Sequence, residues 1–213
     1  MASVVAPPRP RTPTGGGGPG GGDPGDRWRG GGGPDEASLS IRRYKMGMWI
    51  GLGAVVMMFA AFTSAYVVRK GLSNDWRAIE LPPVLWLNTA VLAVSSLTFE
   101  RARKNREKCL SWLGATSALG VAFLAGQYAA WRELRAAGVY LASNPSSSFF
   151  YLLTGTHAIH LFGGLLALLY IVWEAWRYRL GPAKRTLVEV TAIYWHFMDG
   201  LWIYILLLLW FWR

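Results

Sequence analysis

Three histidines and one aspartate define the chemistry open to this chain. His157, His160 and His196 are its only histidines, and each stands in a long apolar run. Asp199 follows His196 by three residues, inside Tyr194-Trp-His-Phe-Met-Asp-Gly-Leu-Trp202. Residues three apart on a helix share a face, so His157 pairs with His160 and His196 with Asp199. Ionisable side chains among apolar neighbours are costly to hold and need a polar partner or a task. Three tasks are open: ligation of a metal or haem, proton transfer, and hydrogen bonds that lock helices together. Against the first, two histidines three apart on one helix cannot both be axial ligands of one haem. His196, moreover, has an acid beside it rather than a second donor. For the second, Glu100, Glu174 and Glu189 stand at the ends of apolar runs, where protons could be collected. Cys109 is the sole cysteine, which excludes an intrachain disulfide and a cysteine-based metal cluster.

The elements that position these groups are apolar segments of membrane length. The chain is 53% hydrophobic and 16% charged, with 12 Trp in 213 residues. That composition points to an all-α integral membrane bundle of five transmembrane helices. The spans read as about 46–68, 82–99, 110–131, 149–173 and 188–210 within a domain of residues 42–213. Residues 1–41 read as a disordered tail, because glycine runs mixed with proline bury too little apolar surface to offset ordering entropy. The first span is expected to act as the targeting signal. On it, Gly47, Gly51 and Gly53 would let a neighbouring helix approach closely. The second span carries a polar stripe, Asn88 with Ser95 and Thr89 with Ser96 at a spacing of seven, and the third carries a deep Gln127. Trp49, Trp131, Trp173 and Trp210 near span ends suit interfacial anchoring.

Formal charge is +10, which in a soluble chain would suggest nucleic acid. Here the positions of the charges matter more, and no nucleic-acid partner is expected. Sixteen Lys and Arg precede the first span or fall in the short loops after the second and fourth; six fall on the other side. The excess places the N-terminus in the cytoplasm and the C-terminus outside. His160 and Asp199 then each lie about eleven residues into their spans, near the midplane at about 1.5 Å per residue. A short loop makes the fourth and fifth helices antiparallel neighbours. A histidine of the fourth is therefore expected within reach of Asp199 or His196, directly or through a water.

Four stretches then stand out together: Lys45-Met-Gly-Met-Trp49, Leu87-Asn-Thr-Ala90, Phe150 through Thr-His157-Ala-Ile-His160, and Glu189 through Tyr194–Asp199 to Trp202. Over about residue 42 to the last, the chain resembles subunit III of the haem–copper oxidases, the cytochrome c oxidase subunit III family, in its shorter five-helix bacterial form. The resemblance implies a non-catalytic subunit of a proton-translocating aerobic oxidase in the bacterial cytoplasmic membrane. It implies haem and copper in partner subunits I and II and none in this chain, with bound phospholipid and a supporting part in proton uptake. A quinol oxidase subunit, an accessory subunit of a nitric oxide reductase and, outside the family, a small independent transporter are the alternatives. Two departures matter. Ala54-Val55 stands where family members carry Ser-Glu, and Ala130 stands where an acid follows the matched Gln127, although Glu133 matches a later acid.

Overall fold

The computed structural model describes residues 34–212 except 73, 75, 77, 78, 106 and 179–181. The glycine-rich stretch up to residue 33, expected to be disordered, lies outside the described residues. Among the described residues every regular element is a helix: α1 Pro34–Leu72, α2 Val84–Lys104, α3 Cys109–Ala136, α4 Pro145–Tyr178 and α5 Pro182–Phe211. Residues 39–213 form one compact unit. α1 begins earlier than the composition suggested and takes in residues 34–41.

Four helices contain stretches long and apolar enough to cross a membrane: Arg42–Leu72, Cys109–Ala136, Pro145–Arg177 and Thr186–Phe211. α2 is not among them: its apolar run is short, so a stretch of that length within it also takes in the charged Glu100 and Arg101. Asn88, Ser95 and Thr98 on α2 are nonetheless buried, alongside Leu85, Leu92 and Phe99. Its polarity faces other helices.

Local sequence sets the turns. After α3, Gly138 takes φ +80°, a conformation that costs glycine nothing. The Gly138 amide donates to Arg135 O (3.0 Å) and the Val139 amide to Leu134 O (2.9 Å), a Schellman stop. α4 starts six residues later with a reciprocal cap. Asn144 Oδ1 accepts the Ser147 amide (3.0 Å), and Ser147 Oγ accepts the Asn144 amide (3.2 Å), with Pro145 as the first helical residue. Between α2 and α3, Asn105 Oδ1 accepts the Lys108 amide (3.3 Å).

The close backbone approaches are among α2, α3, α4 and α5. Gly126 on α3 makes room for Asn88: a β-carbon there would overlap the Asn88 side chain. At Gly164 on α4 a β-carbon would lie 2.7 Å from the Tyr194 ring. The glycines of α1 behave otherwise. Around Gly47, Gly51 and Gly53 an added β-carbon would meet nothing within 4 Å, so the close approach expected there is not made among the described residues.

Large side chains tie α1 on instead. At one end Lys45 pairs with Glu189 (3.4 Å). In the middle Phe59 meets the His160 ring edge-on, and the Tyr204 hydroxyl donates to Thr63 Oγ1 (2.9 Å). At the other end the Tyr66 hydroxyl (2.7 Å) and Lys70 Nζ (2.8 Å) both donate to the Trp212 carbonyl.

Candidate functional site

α2 and α5 run antiparallel, and the polar stripe of α2 is the partner of α5. Trp195 and Trp202, seven apart on α5, are almost wholly buried. A buried indole N–H requires an acceptor. Trp195 donates to Ser95 Oγ (3.0 Å) and Trp202 to Thr89 Oγ1 (3.1 Å). Between them His196 Nδ1 lies 2.6 Å from Ser96 Oγ, a hydrogen bond whose donor depends on the imidazole tautomer. Thr98, one turn below Ser95, turns to α3 and shares a hydrogen bond with Thr116 (2.9 Å).

His196 is the open end of this seam. Its Nε2 lies 4.0 Å from Glu100 Oε2. Glu100 also receives Arg103 (2.8 Å) and Lys104 (3.4 Å) on the exposed last turns of α2. Asp199, one turn along α5, is 6% exposed. Among the described residues neither carboxyl oxygen has a hydrogen-bond partner.

The histidines of α4 stand apart from that seam. His160 Nδ1 lies 2.8 Å from the Thr156 carbonyl, which can only accept, so Nδ1 carries the proton. The Tyr194 hydroxyl donates to the His160 carbonyl (2.9 Å) in the space left by Gly164. His157 is sealed: 0% exposed, with the Trp202 ring at 5.2 Å and the Phe123 ring at 6.0 Å, and no hydrogen bond at either nitrogen. No hydrogen bond or ion pair joins His157 or His160 to His196 or Asp199.

Asn88 Nδ2 and both side-chain polar atoms of Gln127 are also buried without a partner, on the facing surfaces of α2 and α3. Ala130, in the position where an acid was expected, is 0% exposed and lies in the core, while Val55 packs against that core from α1. Glu174 is half-buried near the end of α4, and Glu189 is engaged by Lys45. Among the described residues, no three His, Cys, Asp or Glu side chains cluster closely enough to hold a metal ion.

Spacing alone identified the α2 stripe but not its partner. The signal lay in α5, where Trp195 and Trp202 share a face and carry the donors that two hydroxyls of that stripe satisfy.

Fold and site together define a helical membrane protein whose deep polar groups pair one helix with the next. The family model for cytochrome c oxidase subunit III matches residues 41–213. The chain is 31% identical over 178 residues to the cytochrome bo(3) ubiquinol oxidase subunit 3 of Pseudomonas aeruginosa, covering 79% of this chain and 85% of that one. It is 31% identical over 174 residues to cytochrome c oxidase subunit 3 of Thermostichus vulcanus, covering 77% and 85%. To that of Bacillus sp. strain PS3 it is 29% identical over 178 residues, covering 80% and 86%. The chain belongs to the cytochrome c oxidase subunit III family, the third subunit of the haem–copper oxidases.

Proposed function

We propose that this chain is the accessory, non-catalytic third subunit of a bacterial aerobic oxidase, packed on subunit I beside subunit II. The observation that carries the reading is the match across residues 41–213, which takes in all the deep polar groups. In this reading α2 is a fifth span, carried through the bilayer by partners that satisfy its polar stripe. The Lys- and Arg-rich loops face the cytoplasm and the last residues face outside.

The subunit sustains the working lifetime of its complex rather than performing a redox step. The hydroxyl and indole pairs of the α2–α5 seam support that role, because they hold helices in register. A phospholipid chain suits the apolar groove of about 410 Å³ between Val56, Phe59 and Ala60 of α1 and Phe197, Leu201 and Tyr204 of α5. It opens toward the bilayer, with almost no polar lining.

Asp199→Ala tests the supporting role. It should weaken assembly or shorten the working lifetime of the oxidase more than it lowers initial turnover. Immediate loss of turnover in a fully assembled complex would overturn the reading, as would a Soret band belonging to this polypeptide. The electron donor is a second question, since relatives of equal identity are named as quinol and as cytochrome c oxidase subunits. The co-purifying subunit II decides it: a copper site there marks the cytochrome c enzyme.

A further inference from the structure

The unpartnered polar atoms of the interior gather at one level. Among the described residues, eight buried side-chain nitrogen and oxygen atoms have no hydrogen-bond partner, and five of them belong to Asn88, Gln127 and His157. These three residues are 3%, 1% and 0% exposed. Contacts between helices bring them into one layer. The register that joins Thr98 to Thr116 (2.9 Å) sets Asn88 of α2 against Gly126 of α3, next to Gln127. Phe123, four residues before Gln127 on the same face of α3, has its ring 6.0 Å from that of His157 on α4 and 4.9 Å from that of Trp202 on α5. Trp202 closes the layer by donating to Thr89, the neighbour of Asn88. Gln127 stands nine residues before the end of α3, and His157 twelve after the start of α4. At about 1.5 Å per residue the layer lies about 14–18 Å from those helix ends.

The side chains around this layer are already engaged. The Trp202 N–H goes to Thr89 Oγ1, and the Thr89 hydroxyl donates to the Leu85 carbonyl. The Thr154 hydroxyl, three residues before His157, accepts from Trp131 and donates to the Phe150 carbonyl. Phe123 has no polar atom, and a neighbouring subunit cannot reach groups so enclosed. No direct hydrogen bond joins Asn88, Gln127 and His157 to one another. Buried amides and imidazoles left in this way take ordered water as their partner, and such a water makes about three hydrogen bonds. We propose that Asn88, Gln127 and His157 hold a closed hydration site of about two waters, enclosed by α2, α3, α4 and α5. The donor set suits water from both sides. Asn88 Nδ2 and Gln127 Nε2 donate, Gln127 Oε1 accepts, and the His157 imidazole donates from one nitrogen and accepts at the other. Water is then the common partner through which α2, α3 and α4 share a polar layer deep in an otherwise apolar interior.

A cryo-electron microscopy map of the complex this chain purifies in, at a resolution that shows ordered water, tests the site without any substitution. The expected result is density within about 3 Å of the Gln127 amide and of a His157 nitrogen, with one peak shared by Asn88. Direct bonds from Gln127 to Asn88 and His157 with no density between them would overturn the proposal, and so would a dry layer. Gln127→Leu should remove the peaks beside position 127 while the helices keep their places. Peaks that persist there are not held by Gln127, and that result also overturns the proposal. Where Gln127→Leu does not assemble, His157→Phe is mapped in its place, with loss or persistence of the peaks beside position 157 read in the same way. The site belongs to the packing of this chain alone, so the map decides it whichever subunits accompany the chain, and their identity tests the oxidase reading separately.

Discussion

Trp202 donates its indole N–H to Thr89 Oγ1 at 3.1 Å, and on the other side its ring lies 5.2 Å from that of His157. One side chain of α5 thus meets the stripe of α2 and the deep histidine of α4, with the Phe123 ring of α3 at 4.9 Å. Removing the acceptor alone should be informative. Thr89→Val keeps the shape but strands a buried donor, which costs about 1–2 kcal/mol once membrane hydrogen-bond values are weighed against soluble ones. Thr89→Ser should be close to neutral. Unfolding of the purified protein in mixed detergent reads both.

Gly126 gives a prediction of opposite kind. A methyl group there would collide with the Asn88 side chain rather than leave a gap. Gly126→Ala should destabilise the α2–α3 pair by about 1–3 kcal/mol, the usual cost of overpacking. Adding Asn88→Ser should recover much of that loss. A double substitution no better than the single one would show that the clash is not the cause.

The far end of α1 is held by two donors on one carbonyl. Tyr66→Phe leaves Lys70 on the Trp212 oxygen, so the loss should stay under about 1 kcal/mol. Tyr66→Phe combined with Lys70→Met should cost more than the sum of the two. Protease accessibility of the last residues, compared across the three variants, reports the release.

Acidification should act through Glu100, just beyond the second apolar run. Desolvation works to raise its carboxyl, but the charges and hydrogen bonds of Arg103 and Lys104 outweigh this and hold it below the ordinary carboxylate value. A depressed acid stabilises the folded state above its unfolded value and loses that contribution as pH falls through its folded value. Wild type should therefore lose its advantage over Glu100→Gln on acidification through the carboxylate range. High salt should shrink the difference, because the group is exposed. A thermal midpoint followed against pH in both proteins checks it.

Much of this architecture was legible in residue order. Length and hydropathy mark the four long apolar helices, and the seven-residue spacing of Thr89 and Ser96 marks a face of α2 that needs partners. Which helix supplies them was not legible. α5 is the neighbour of the histidines of α4, through Trp202 beside His157 and the Tyr194 hydroxyl on the His160 carbonyl, while the direct bond of His196 runs to α2. Trp202 lies beside His157, and periodicity along a helix carries no information about which bulky side chain occupies an interface. The glycines misled in a related way. Gly47 and Gly51 have the spacing of a contact motif, but spacing does not reveal that the tight approaches fall at Gly120, Gly126 and Gly164.

The antiparallel match of α2 with α5 has a consequence for biosynthesis. Ribosomes deliver α2 early and α5 last, so Thr89, Ser95 and Ser96 emerge long before the two indoles and the imidazole that complement them. During that interval α2 is a poorly apolar segment with its hydroxyls facing no partner from α5. A chain stopped before residue 195 would therefore hold Ser95 and Ser96 without the Trp195 and His196 side chains that bond them.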